Sequence, residues 1–420
     1  MTEIVSIIFH IFFLIVLSHL PNKIIFFSKN EDLHIPISIV LLSFVLLLMS
    51  FLSIDLKIVR YFLWIVFFIN LFFIFFEKKY LYLKNIRFLL FLVIVLVLSL
   101  NLAVNLKLGW DAQNYWIIKS LNFVNGENVY NLKNLPRPDY PYFGSYLWAV
   151  FSSISFLGHE YFGRIFYIYL FCSSLFTICN LLASENNFKV FLFLLLIIIF
   201  NNNFIFQGYQ EVLVFSYAIF LTYFIFEFRN SLGDEKIISL ILINFFILFW
   251  IKNEAFIFSV IFFISMLLFL PHKKINFLIG FILIILSRIF LYKIFHFDLD
   301  LQAGNYEKIN LSYLGEFVTI DRILTIAKYT IFSSFKVPII ILIVVSNFLI
   351  FSLKNNFIIK VLTANLFLSL VLFFFAYLFT TFPLSFHLIT SADRLLFQIV
   401  GFNIILIILL INKFKIKKLF

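Results

Sequence analysis

The chain has 420 residues, of which 63% are hydrophobic and 13% charged, with a mean hydropathy of +1.08 and a formal net charge of +11. A soluble core of this length cannot hide so much apolar surface, so the composition excludes an ordinary globular enzyme and points to a polytopic membrane protein. The period-2 alternation of an outer-membrane barrel is absent, which leaves an all-α bundle of transmembrane helices.

Taken in chain order, apolar runs long enough to cross a bilayer are predicted at 4–20, 35–54, 58–76, 88–106, 161–183, 189–206, 211–228, 237–250, 255–270, 275–295, 331–352, 361–380 and 395–411, thirteen spans in all. The first lacks a basic leading region and a small-residue cleavage site and reads as a retained span. The stretch YFGSYLWAVFSSISFL at 142–157 is apolar but short and rich in Ser, Tyr and Trp, so it is expected to lie as an interfacial helix. The expected organisation is a four-span bundle over 1–106, an external loop with interfacial helices over 107–160, and a second bundle over 161–420 with a further external loop at 296–330. The 65 phenylalanines, with abundant Ile, Asn and Lys, read as the codon bias of an AT-rich genome. Cys172 and Cys179, seven apart in one apolar run, read as small buried hydrophobes.

Charge orients the chain. With the N-terminus outside, the inner loops hold 17 Lys and Arg against 6 acids, whereas the outer segments hold more acids than bases. EKKYLYLKNIR at 77–87, PHKK at 271–274 and the KFKIKK tail all fall inside. The basic balance is thus a set of cytoplasmic anchors, and no nucleic-acid partner is needed to explain it.

Asp111, Asp139, Glu211, Lys252, Glu254, His387, Asp393 and Arg394 all fall at span ends on the outer face. Charges at the hydrocarbon boundary cost several kcal/mol, about 2.5–3.5 at the helix centre on insertion scales, unless hydrated or paired. Snorkelling explains Lys and Arg at such places but suits short Asp and Glu poorly. A water-accessible cavity is the reading that fits both. Asp111 opens the amphipathic segment DAQNYWIIKSLNF, where it can serve as a general base, hold a sugar hydroxyl, or simply cap a helix. Glu211 begins a helix, where a carboxylate also favours the dipole. Lys252 and Glu254, flanking Asn253 in WIKNEAFIF, read as a phosphate clamp and its orienting partner or as a plain ion pair. Arg394, in HLITSADRLLFQ beside Asp393, has the planar fork that matches a phosphate, with His387 as a second donor. Asp139 could face the same cavity or solvent, and solvent is the expectation.

Five stretches in order, GWDAQNYW, GENVY followed by DYPYFGSYLWAVF, GYQEVLVF, IKNEAF and TSADRLLFQ, resemble the GT-C superfamily of integral-membrane glycosyltransferases, over most of 105–400. Within it the KNE and SADRLL stretches look most like bacterial proteins of the dolichyl-phosphate-mannose transferase and lipid A aminoarabinose transferase type. The resemblance implies a sugar taken from a polyprenyl-phosphate donor to a lipid, glycan or protein acceptor at the periplasmic face of the bacterial inner membrane. It gives Asp111 the first-loop acid role of general base and Glu211 the second acidic position. Lys252, His387 and Arg394 would hold the donor phosphate, supported by Trp110, Asn253, Glu254, Asp393 and Tyr140. Two features depart from the family pattern: several spans precede the first acid, and the second acid is Glu where Asp is commoner. The latter leaves metal dependence open, with Asp111 and Glu211 as the ligands if a divalent ion binds. The competing classes are a transporter or flippase of a lipid-linked or anionic solute, and a protein of the O-antigen polymerase or ligase kind.

Overall fold

The computed structural model describes residues 2–19, 34–77, 85–182, 186–230, 235–270, 273–297, 317–353, 356–380 and 383–416. Among these the chain is all-helical, with no strand. The loop residues Asp298, Asp300, Tyr306 and Tyr313, and part of each basic stretch at 77–87, 271–274 and the tail, lie outside the described residues.

Short polar residues set the helix starts. Helix α1 spans Thr2–Leu17 and α2 His34–Phe51. Asp55 accepts from the Lys57 amide at 2.7 Å and caps α3, Leu56–Phe76; Asn85 accepts from Arg87 at 3.0 Å and caps α4, Ile86–Val104. A π-helical turn at Ala112–Trp116 leads into the short amphipathic α5, Ile117–Val124, and α6 follows at Phe143–Ile154. Then come α7, Tyr161–Asn180; α8, Asn186–Phe200; α9, Glu211–Asn230; α10, Glu235–Ile251; α11, Asn253–Phe269; and α12, Lys274–Ile294. The C-terminal part holds α13, Ile320–Ser333; α14, Ile339–Ser352; α15, Phe357–Leu378; α16, Leu384–Asn403; and α17, Ile405–Ile416.

Six helices, α3, α4, α7, α9, α12 and α15, are long and apolar enough to cross a membrane, and α16 with α17, bent by 45° at their junction, makes a seventh. Among the described residues there are six shorter apolar helices, five of which fall on remaining predicted spans while the sixth is α6. The final predicted span, 395–411, begins too late: the helix that carries it already starts at Leu384 and takes in Asp393 and Arg394. Helix α6 is enclosed by protein. Nearly every residue from Phe143 to Ile154 is buried, because α6 packs between α5 and α7.

Burial sorts the helices. α7 is apolar all round and wholly enclosed, and α9 nearly so, whereas only 17% of α12 is covered by protein and side chains such as Leu283 and Phe290 point outward. α9 is the hub, packed against α7, α10 and α16. Its contact with α16 is close because Gly401 has no side chain: a Cβ there would sit 2.8 Å from the Phe215 Cα. Beside it the Phe215 and Phe397 rings stack at 4.3 Å.

Candidate functional site

Two loops far apart in sequence are stitched together above α7. The Gly109 amide donates to the Gln207 carbonyl at 2.9 Å. Arg164, fully buried near the start of α7, donates to the carbonyls of Phe206 at 2.8 Å and of Leu106 and Lys107 at 3.4 Å, while pairing with Glu160. Gly208, at φ +75°, turns the second loop against the Trp148 ring, in a conformation that favours glycine. The stitched loops carry Asp111 and Glu211 to the same place.

There the charges converge. Arg394 ion-pairs with Asp111 and lies 3.4 Å from Glu211. Lys252 reaches the same Glu211 oxygen at 2.7 Å and Glu254 at 3.4 Å. Lys252 is the single extended residue between α10 and α11, at φ −156° and ψ 152°, so the helix reversal itself aims the ammonium. Burial alone would push that ammonium down, but Glu211 and Glu254 beside it hold it above the ordinary lysine range. The Arg394 guanidinium bonds back to the Thr390 carbonyl at 3.0 Å and lies over the Tyr209 ring at 4.9 Å. Burial holds the Tyr209 phenol above its usual range, against the pull of Arg394. Asp111 makes no helix-capping bond; its carboxylate goes to Arg394 and stays 18% exposed, while Glu211 is fully buried. Three carboxylates against two cations leave one formal negative charge in the cluster.

A second network adjoins it through Asn253. Asn253 accepts from Arg288 at 2.7 Å and donates to the Asp139 carbonyl at 3.4 Å. Arg288 also donates to the Phe249 carbonyl at 2.6 Å and to the Tyr292 hydroxyl at 3.2 Å, and Tyr292 in turn donates to the Asp139 carbonyl. The Asp139 carboxylate is gripped by both guanidinium edges of Arg137 at 3.0 Å. Asp139 is therefore buried, not solvent-facing as its proline-rich setting implies, because Arg137 accompanies it inward. Lys119, buried in α5, donates to the carbonyls of Arg137 at 2.8 Å and Tyr140 at 2.6 Å. Burial pushes its ammonium down to about 7, opposed by Asp139. The Tyr140 ring stacks on Trp116 and takes Arg137 over its face at 4.3 Å.

Of the remaining predicted residues, His387 lies within electrostatic reach of Arg394 and Glu254, whereas Asp393 and Trp110 engage other partners. Asp393 pairs with the exposed Lys336 at 2.7 Å. His387 meets the Thr380 hydroxyl at 2.8 Å and the Tyr377 ring at 4.9 Å, two turns before Arg394 on its helix. Trp110 is exposed, its ring against Tyr115. The pairing of Asp111 with Glu211 does not suit a shared metal ion, because the Arg394 guanidinium fills the position between them. Among the described residues no group of three or more His, Cys, Asp and Glu could hold one. Sequence reasoning did not single out Arg164, Lys119 or Tyr209. Arg164 and Lys119 carried a usable signal, a cation inside an apolar helix.

No family model, no curated protein and no solved structure matches this chain.

Proposed function

We propose that the protein is an inverting glycosyltransferase, moving a sugar from a polyprenyl-phosphate donor to the hydroxyl of a lipid, glycan or protein acceptor at the periplasmic face of a bacterial inner membrane. One observation carries the reading: acids and bases from four separate segments, Asp111, Glu211, Lys252 with Glu254, and Arg394, meet in one partly open cluster.

In the resting cluster Arg394 is engaged by Asp111. A donor phosphate that takes the guanidinium displaces that carboxylate, since a planar fork binds phosphate and carboxylate in the same manner. Asp111 is thereby freed as a base at the moment the donor arrives. The acceptor hydroxyl gives its proton to Asp111, its oxygen bonds to the anomeric carbon, and the bond from that carbon to the phosphate oxygen breaks. The electron pair leaves with the lipid phosphate, whose charge Arg394 and Lys252 offset. Glu211, buried and shared by both cations, holds them in register.

The test is mass spectrometry of envelope glycans and glycolipids from a deletion strain complemented with wild type or Asp111→Asn. The expected outcome is loss of a defined sugar mass, restored by wild type and not by the variant. Restoration by a folded Asp111→Asn protein would remove Asp111 as the base. A transport reading draws on a different observation, the wholly buried Asn365–Asn403 contact at 3.2 Å between α15 and α16. Translocation of a labelled lipid phosphate by reconstituted protein, without product formation, would favour it.

A further inference from the structure

Arg394 has two kinds of partner, and they use different parts of it. The carboxylates of Asp111 and Glu211 both meet Nη1, and Nε donates to the Thr390 carbonyl. The Tyr209 ring takes the cation in another way, with the guanidinium carbon 4.9 Å from the ring centre. A carboxylate competes with an incoming phosphate for N–H groups, whereas an aromatic ring attracts the charge and consumes none of them. Once Asp111 lets go of Arg394 to act as a base, a long side chain has lost its nearest charged partner. The ring is a hold that remains.

Tyr209 is itself fixed at this spot. It lies so close to the Gly109 backbone that a Cβ at 109 would stand 2.2 Å from the tyrosine Cζ and 2.6 Å from its hydroxyl, so any side chain there must drive the ring away. The Gly109 amide donates to the Gln207 carbonyl at 2.9 Å, two residues before Tyr209, and sets the spacing of the two loops. The Phe204 ring meets Tyr209 nearly at right angles at 5.9 Å and meets Phe397 at 6.0 Å. Phe397 is three residues past Arg394, so this aromatic contact returns to the helix that carries the guanidinium. Tyr209 therefore spans the gap between the Asp111 loop and α16.

We propose that Tyr209 is a positioning residue for Arg394: its ring keeps the guanidinium aimed at the donor phosphate while Asp111 serves as base, and Gly109 is the residue that makes room for the ring. The inference rests on the glycosyl-transfer reading and adds a side chain that acts through Arg394. It assigns the role to the ring and not to the hydroxyl, which gives the test its sharpness.

Full-length protein in nanodiscs is titrated with farnesyl phosphate, a short isoprenyl phosphate. Wild type is expected to bind it. Tyr209→Leu should weaken binding roughly two- to thirtyfold, the range of a cation–π contact from exposed to desolvated sites, whereas Tyr209→Phe keeps the ring and should stay within about twofold of wild type. Gly109→Ala should act in the same direction as Tyr209→Leu. The two together should be no worse than Tyr209→Leu alone, because the added methyl then has no ring to displace. Tyr209→Phe made with progressively fluorinated rings separates positioning from mere support of the fold. Fluorine drains the negative ring face while nearly keeping its shape, so affinity should fall step by step. A Tyr209→Leu protein that binds as wild type does, a Tyr209→Phe protein as weak as Tyr209→Leu, or an affinity indifferent to fluorination overturns the role of Tyr209 and leaves the phosphate site standing. Wild type that does not bind farnesyl phosphate overturns the glycosyl-transfer reading, and this role with it.

Discussion

Two polar networks meet at the peptide bond between Lys252 and Asn253, and they are built on different rules. On the Asn253 side, Lys119 ends on two backbone carbonyls, Arg288 on one carbonyl, the Asn253 side chain and the Tyr292 hydroxyl, and Arg137 holds Asp139 in a two-pronged grip. Backbone carbonyls cannot swing away, so this network fixes the loop at 137–140 against α11 and α12. On the Lys252 side, side chain faces side chain: Arg394 is divided between Asp111 and Glu211, and Lys252 between Glu211 and Glu254. Such partners can exchange. Charges that hold backbone make scaffold, and charges that hold one another leave room for a reaction.

If that division is right, substitutions on the two kinds of charge should separate stability from turnover. The largest stability loss is expected from Arg164→Met, which strips a fully buried guanidinium from Glu160 and three carbonyls. Glu160 is 34% exposed, so the loss comes chiefly from the orphaned carbonyls, at about 1–3 kcal/mol each, read as a collapse of the monodisperse peak or a large fall in melting temperature. Asp111→Asn should do the reverse: transfer falls on the order of 10²- to 10⁴-fold in a membrane assay, while the melting temperature moves little. A destabilised Asp111→Asn protein would place that acid with the scaffold and break the comparison. Gly401→Ala tests the contact that sets the distance between α9 and α16. The added methyl meets the Phe215 backbone, and a loss of about 1–3 kcal/mol is expected on thermal unfolding.

Lys119 gives a pH signature to the scaffold side. Its native value of about 7 lies below the ordinary 10.5, so between those values the unfolded chain holds a proton that the native protein has released. Stability should therefore rise with pH through that window, by up to about 1.4 kcal/mol per pH unit, and show no such slope below pH 7. Melting curves of wild type and Lys119→Met from pH 6 to 9.5 check this, the slope being absent in the variant. The smallest effect is expected next door to Arg394. Asp393 pairs with the largely exposed Lys336, and Asp393→Asn should change stability by less than about 1 kcal/mol.

Much of this was legible in the residues. Carboxylates at span ends are poorly explained by snorkelling, and position at the outer span ends groups Asp111, Glu211, Lys252, Glu254 and Arg394, together with Asp139, His387 and Asp393. The helical class followed from composition. The depth of Arg394 did not, because a run of Ser, Ala, Asp and Arg looks like a loop, and only packing against α9 keeps it helical. Asp139 misled for a related reason: its partner Arg137 is two residues away, and a pair that travels together leaves no mark in hydropathy. Arg164 sits in a long apolar run, where window averaging passes over it although a lone cation there is itself a signal. Span number was less legible, since apolar helices of 12 to 17 residues, such as α1, α8 and α14, read as spans in composition but are short for a crossing.

Helix α16 starts at Leu384, ten residues ahead of Arg394. At 1.5 Å per residue the guanidinium-bearing turn is thus recessed about 15 Å from the helix tip. The first turns of α16 therefore stand beyond the cluster, which meets α9 and α11 at their opening residues, Glu211 and Lys252.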